Sequence, residues 1–346
     1  MCTTIQRLRY LVTGCLVIGG LAVVGEARAE TLEQALVAAY NTNPTLLAGR
    51  AFLRSIDEGV PQALSGWRPS LSASLSTAAS VVESSTASNR RQRRRPHTAS
   101  LSLSQSIYNG GQVPAAISKA ENTVIAERAN LISVEQSVLL DVVTVYTTVY
   151  QSEAVLSLNI SNEEVLFRQL EATQDRFDVG EITPTDVNQA EARLARATAD
   201  RIQAEGDVVA ARAAYRNVIG NFPDNLVAPT ALKNLPGGVE QAVKQAVENS
   251  PVVISAEYNE RADIDSIAGI EGELLPSVDF AGSASRLLNA LGESTRTDTY
   301  SAKVTVSVPL YQSGSVFSRL RQARHTASRQ RRRRTRRRAG PSRLYL

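Results

Sequence analysis

The 346-residue chain has little cysteine, histidine or aromatic side chain. Its two cysteines, Cys2 and Cys15, both lie within the first 29 residues. A chain beginning near Glu30 therefore carries no thiol, which excludes disulfides, thiol catalysis and cysteine-bound metals. The two histidines, His97 and His325, stand beside arginine runs without a second ligand at metal-binding spacing, so no metal site and no cofactor are expected. There is no nucleophile with a paired base and no phosphate-cradling glycine loop, so enzyme chemistry is not expected either. Aromatics make up 5% of the chain while alanine and serine are plentiful, so the core is built from small and aliphatic side chains. That composition favours closely packed helices.

Acidic residues are missing at one end. From Arg319 to Leu346 there are twelve arginines and no acid. The formal charge of +4 hides a body, residues 30 to 318, with 23 basic and 33 acidic side chains, a net of −10. A basic nucleic-acid-binding domain is not expected in the body on that ground, because phosphate binding needs clustered positive charge on the folded surface.

Residues 1–29 read as a secretory signal. Arg7 and Arg9 precede the apolar run from Tyr10 to Val24, and Ala27-Arg28-Ala29 supplies small residues at the cleavage positions. The run is shorter than the roughly 20 residues a transmembrane helix needs. Val12-Thr13-Gly14-Cys15 has the look of a lipobox, but most of the apolar run follows Cys15 rather than preceding it.

The body is a duplication. Leu32-Glu33-Gln34-Ala35-Leu36, with Pro44 twelve residues on from Leu32, recurs 207 residues later as Val239-Glu240-Gln241-Ala242-Val243 with Pro251. The offset holds at Pro69-Ser70-Leu71 against Pro276-Ser277-Val278 and becomes 203 at Ile107-Tyr108-Asn109-Gly110-Gly111 against Leu310-Tyr311-Gln312-Ser313-Gly314. Such units are far longer than solenoid repeats. The reading divides the chain into a signal, 1–29, a first repeat of helix, two strands and long helical hairpin, 30–220, a linker, 221–238, an incomplete second repeat, 239–328, and an arginine-rich tail, 329–346.

Within each copy the hydrophobic period changes. Ser70 to Val81 alternates Leu71, Ala73, Leu75, Thr77, Ala79 and Val81 with Ser72, Ser74, Ser76, Ala78 and Ser80, and Thr98 to Tyr108 sets Leu101, Leu103 and Ile107 against serines. The second copy repeats this around Val278 and Phe280, then from Ala302 to Leu310. These are strands of about ten residues with one apolar and one small-polar face, the alternation of a membrane-spanning strand with a wet lumen. A half-buried soluble sheet has the same period. Four strands do not close a barrel, and open edges are not tolerated in lipid. Either several chains share one barrel, three copies giving twelve strands, or the sheet is soluble.

From Gln112 to Asp178 the chain is helix-compatible throughout, and 67 residues at 1.5 Å each would reach about 100 Å. A turn follows at Val179-Gly180. Thr183 then reads as an N-cap, Pro184 as the first helical residue and Asp186 as its acidic N3 partner. Val187, Ala190, Leu194, Ala197, Arg201, Ala204, Val208, Ala211, Tyr215 and Val218 step by three and four, a heptad seam dominated by alanine. The pair predicts a long antiparallel coiled-coil hairpin.

The export signal, the duplicated helix-strand-strand-helix unit and the string RFDVGEITPTDVNQAEARLA from Arg176 to Ala195 together resemble the TolC family of outer-membrane efflux and secretion proteins. The resemblance covers roughly residues 30 to 327. It implies an α+β membrane protein, with long α-helical hairpins forming an α-barrel and four strands per chain contributing to a trimeric twelve-stranded β-barrel. It also implies location in the outer membrane with a helical extension through the periplasm. The implied partners are two further copies of the chain, outer-membrane lipid, a periplasmic adaptor, and an inner-membrane pump or ABC transporter; nucleic acid is not among them. The implied activity is export of small molecules or proteins. By the same resemblance Arg176, Phe177, Val179, Gly180 and Thr183 lie at the adaptor-docking tip, and Thr185 and Asp186 belong to the gate. Helix capping alone also accounts for Thr183 and Asp186.

Two arginine runs stand outside this pattern. Arg90, Arg91, Arg93, Arg94 and Arg95 fall between the first two strands, where a solvated loop at the outer mouth is expected. Trp67, Tyr108 and Tyr311 sit at strand ends, where an interfacial aromatic belt or ordinary packing would place them. Val316, Leu320 and Ala323 align with Val113, Ile117 and Ala120, but from Arg329 to Arg338 like charges replace the apolar seam. With 34 Arg to 4 Lys, GC-rich coding and a lost reading frame near residue 328 are expected, leaving the second hairpin absent and export impaired. Translation of the other two frames decides this; the rival is a genuine basic tail that binds anionic lipid or nucleic acid. The alternatives for function are a secreted or periplasmic coiled-coil scaffold and a passive porin-like protein.

Overall fold

The computed structural model describes residues 30–83, 91–230, 236–290 and 294–343. The signal segment and Arg90 lie outside them.

Thr31 opens the fold as a capping box: its hydroxyl accepts from the N–H of Gln34, whose side chain accepts from the N–H of Thr31. Helix α1 (Leu32–Thr42) follows, then α2 (Pro44–Asp57), with Asn43 capping the second helix through Thr45 and Leu46. α3 (Gly59–Leu64) is split from α2 at Glu58. In the second copy the same stretch is unbroken: α6 (Val239–Asn249) leads into the 22-residue α7 (Pro251–Gly272). Gly59 and Pro61 explain the break, since their counterparts at the 207-residue offset are Ser266 and Ala268, which keep the backbone N–H and the helical preference.

Four strands form one antiparallel meander in the order β1 (Ser70–Thr77), β4 (His97–Asn109), β5 (Ser277–Leu288) and β6 (Arg296–Ser307). β1 and β6 are its two edges. The first strand is shorter than the alternation from Ser70 to Val81 predicts. The chain leaves the sheet after Thr77, where the last ladder contact is a bond from Ala78 N–H to the carbonyl of Pro96. Proline has no N–H to continue the ladder. The chain then makes a separate two-stranded ribbon, β2 (Ser80–Glu83) with β3 (Arg91–Arg94). The arginine run expected in a loop is therefore partly a strand.

The register gives each face a single character. Leu71, Leu103, Gly282 and Ala302 stand in one row, and Ala73, Leu101, Ala284 and Tyr300 in the next; Ser72, Ser102, Ser283 and Ser301 lie on the other face. Serine hydroxyls bridge strands on that face, Ser74 to Ser100 at 2.7 Å and Ser283 to Ser301 at 2.8 Å.

Helix α4 (Gln112–Asp178) has the ends the sequence predicts and carries the whole assembly. Its first half packs on α7 and its second on α5 (Pro184–Ile219). The largest core cluster lies midway, where Ala35 and Ala39 of α1 meet Val142, Tyr146 and Val149 of α4 and Ala211, Tyr215 and Ile219 of α5. The Tyr146 hydroxyl lies 2.7 Å from the Val227 carbonyl and 2.9 Å from that of Glu30, pinning both chain segments to the helix. Burial raises its pKa.

The last helix, α8 (Ser315–Arg343), differs from expectation: it runs through residue 328 without a break. Val316 and Leu320 are buried in its first turns, as their alignment with α4 predicts. Beyond them acids on α7 replace the apolar seam. Arg324 pairs with Glu271 at 3.0 Å, Arg334 with Glu260 at 3.2 Å and Arg338 with Glu257 at 3.5 Å, while Arg337 donates to the Val252 carbonyl. Like charges on one helix are compatible with docking when the facing helix is acidic. The Arg324 and Arg338 pairs are exposed enough to be weak and screened by salt, the Debye length falling to about 3 Å at 1 M, whereas Glu260 is buried under Arg334. Raising salt should therefore speed tryptic cleavage within Arg331–Arg334 severalfold and cleavage in α5, which keeps a buried apolar seam beside its ion pairs, much less; equal acceleration at both sites would show that the ladder does not hold the helix.

Candidate functional site

The α4–α5 hairpin ends farthest from the sheet in a tight turn. Val179 N–H bonds to the Asp175 carbonyl, Gly180 N–H to Phe177 at 2.9 Å and Glu181 N–H to Arg176 at 3.0 Å, so the last carbonyls of α4 are satisfied. Gly180 sits at φ +81°, and nothing lies within 4 Å of where its Cβ would be. Its conformation, rather than crowding inside the chain, requires glycine.

On the α5 side the Asp186 carboxylate accepts both donors of Thr183, the hydroxyl at 2.7 Å and the N–H at 3.0 Å. The Thr183 hydroxyl, then its N–H, hold Asp186 below the ordinary carboxylate pKa, with a smaller contribution from Arg176. Arg176 itself pairs with Glu181 at 3.2 Å across the turn. Arg176, Val179, Gly180, Thr183, Thr185 and Asp186 are exposed together at this end, and Phe177 is half-buried against it. Sequence reasoning missed Glu181, because a pairing five residues apart across a turn follows no helical spacing.

The hairpin that presents this tip is fastened by alanine and by charge. Val187, Ala197, Ala204, Val208, Ala211 and Tyr215 are buried along α5, with Ile219 rather than Val218 closing the seam. At its centre Glu163 of α4 accepts from Thr198 at 2.7 Å and from Arg201 at 2.5 Å. The Thr198 bond, with help from Arg201, lowers the Glu163 pKa. Among the described residues no group of three His, Cys, Asp or Glu side chains is placed to hold a metal ion.

The molecule thus offers a two-faced sheet at one end and a charged, capped helical tip at the other. The profile of the family described as "Outer membrane efflux protein" matches residues 35–221 and 242–340, crossing residue 328 into the arginine-rich part of α8. The chain is 33% identical over 324 residues to outer membrane efflux protein BepC of Brucella suis biovar 1 (strain 1330), covering 93% of this chain and 70% of that protein. It is 25% identical over 243 residues to outer membrane protein TolC of Escherichia coli (strain K12), covering 66% of this chain and 49% of TolC. The chain therefore matches only about half the length of that second relative. The crystal structure of the Campylobacter jejuni CmeC outer membrane channel superposes with a TM-score of 0.77 at 15% identity, covering 88% of this chain and 66% of that one. BepC is named an efflux protein, TolC an outer membrane protein and CmeC an outer membrane channel, and none of the three is named an enzyme. The chain belongs to the outer membrane efflux protein family, and it is an outer-membrane channel subunit of the efflux type whose long helices form the periplasmic part.

Proposed function

We propose that three copies of this chain close one twelve-stranded barrel, that the residues from Arg176 to Thr183 meet a periplasmic adaptor, and that Thr185 and Asp186 belong to the gate at the inner end of the duct. The observation that carries the reading is the four-stranded sheet, apolar on one face, serine-lined on the other and open at β1 and β6. Unpaired edges are costly in hydrocarbon, whereas three copies arranged in a ring pair every edge and keep the serines facing water. Apolar side chains along α4 support the same arrangement, since Leu140, Leu158 and Val165 are 65%, 71% and 60% exposed and need neighbouring hairpins to cover them. An adaptor at the tip would link the duct to an inner-membrane pump or ABC transporter, with small molecules or proteins as cargo. A passive porin leaves the 67-residue helix without a role.

At the tip, the capped Asp186 is the group most directly tested. Replacing it with alanine removes the acceptor of both Thr183 donors and with it half of the capping box. Single-channel recording of the reconstituted chain should show a larger and noisier conductance for Asp186→Ala than for wild type; unchanged conductance would remove Asp186 from the gate. The pH dependence has a fixed sign. With a folded-state pKa below the unfolded value, Asp186 steadies the tip fully above about pH 4 and loses that effect as pH falls through its depressed value. Wild-type conductance should rise at the acid end only, and the alanine variant should lack that rise.

A further inference from the structure

The sheet carries a charged cluster that channel formation does not use. Continuing along the apolar face away from the helices, the row after Ala73, Leu101, Ala284 and Tyr300 is Leu75, Ala99, Arg286 and Asp298, and the next is Thr77, His97, Leu288 and Arg296. Arg286 and Arg296 grip one carboxylate. Arg286 reaches the two oxygens of Asp298 at 2.8 and 3.3 Å, and Arg296 adds its Nε at 2.9 Å and its Nη2. The triad has a net charge of +1, and both guanidinium groups are about half exposed.

We propose that this cluster is a binding site for a phosphorylated lipid headgroup in the outer leaflet. Height is the first support. From Ser277 to Arg286 the strand rises about 30 Å, and at a tilt near 40° it spans about 23 Å of membrane normal, close to the roughly 25 Å of an outer-membrane apolar band. The helices leave the sheet at the Ser277 end, so Arg286 emerges at the opposite, outer margin. Tyr108 in the innermost row and Tyr300 one row inside Arg286 stand where interfacial aromatics mark the two margins.

Shape is the second. A shallow recess of about 500 Å³ lies on this face beside the cluster, bordered by Leu75, Leu101, Ala284, Arg286, Asp298 and Tyr300. Its floor is low because alanine stands at 73, 99 and 284. An acyl chain fits the apolar end and an anion the guanidinium end.

Chemistry is the third. The shared carboxylate engages the Nε and Nη2 groups and fixes both forks, so that among the described residues the Nη1 donors are turned to a second anion, and such forks suit phosphate oxygens. His97 stands about 10 Å away on the row of Arg296 with its Nδ1 paired to the Thr77 hydroxyl at 2.8 Å; in the tautomer whose Nδ1 accepts that bond, its Nε2–H is a further donor.

The proposal rests on the sheet crossing the outer membrane and is independent of the tip. The test uses the full chain in phosphatidylcholine nanodiscs doped with a bisphosphorylated glucosamine-based lipid, or with the same lipid after phosphate removal. Native mass spectrometry counts the glycolipids retained. Retention of the phosphorylated form should exceed that of the other about tenfold, and the Arg286→Gln/Arg296→Gln double variant should lose most of that preference. Lys303→Gln, on the serine face, should retain it. Equal retention of the two lipids, or an unchanged double variant, overturns the site. If the double variant does not insert, Arg286→Lys is read instead, since it keeps the charge but loses the fork, and retention equal to wild type counts against the proposal. A wild-type chain that never enters a bilayer overturns both this site and the shared barrel; one that inserts without lipid preference overturns only this site.

Discussion

Leu103→Arg should abolish the heat-sensitive outer-membrane trimer proposed above, whereas Ser102→Arg, one residue away, should leave it intact. Leu103 stands on the apolar face midway along β4, in the row with Leu71, Gly282 and Ala302. Ser102 faces the other way, among Ser72, Ser283 and Ser301. An arginine at the bilayer midplane of a barrel costs about 2–4 kcal/mol, and three copies in one ring multiply that to about 6–12 kcal/mol, comparable with the whole stability of a domain. On the wet side the same side chain meets solvent and serine hydroxyls. The measurement is the mobility of unboiled outer-membrane samples on a gel. A soluble sheet would give nearly the opposite result, with both substitutions tolerated on exposed faces.

The second large effect is expected at Gly110, where β4 turns into α4 beside the exit of α7 toward β5. Gly110 has φ +64°, and a Cβ there would lie 2.1 Å from the Gly272 carbonyl oxygen and 2.9 Å from Leu275 Cβ. A Cβ on Gly272 would in turn meet the Gly110 carbonyl at 2.6 Å. The two backbones touch with no side chain between them, and this contact sets the long helix against the sheet. Gly110→Ala combines a left-handed conformation with a clash against backbone that has nowhere to move, about 2–4 kcal/mol together. Gly111→Ala is the control, because its φ of +81° carries the conformational cost of about 1 kcal/mol but its Cβ would meet nothing within 4 Å. Thermal unfolding of the purified chain should show a markedly larger loss at 110 than at 111. The second copy shows why the contact rather than the turn is decisive: Ser313 takes the place of Gly110 at φ +52° and carries its Cβ there.

Much of this architecture was legible because it is periodic. The duplication, the strand faces and the two helices of the hairpin all follow from spacing, and α4 begins and ends where proline, glycine and polarity place it. The tip residues were legible as a string, since turn chemistry at Gly180 and Thr183 is local. What escaped depends on partners distant in sequence. Nothing near Arg334 or Arg338 announces Glu260 and Glu257, which stand more than 70 residues earlier, so an arginine run that should repel itself becomes one side of an ion-pair ladder. Arg286, Arg296 and Asp298 likewise appear as ordinary strand polarity until the register puts all three on the apolar face. The β2–β3 ribbon was invisible because arginine has little strand preference and the pairing begins only after Pro96 ends the main ladder.

The central claim, that this chain completes its channel only as a ring of three, is tested most directly by the native mass of the protein extracted from outer membranes in mild detergent. A single species of three subunit masses, lost on boiling, is the predicted result. A water-soluble monomer, or a membrane species that is not a multiple of three chains, would contradict it.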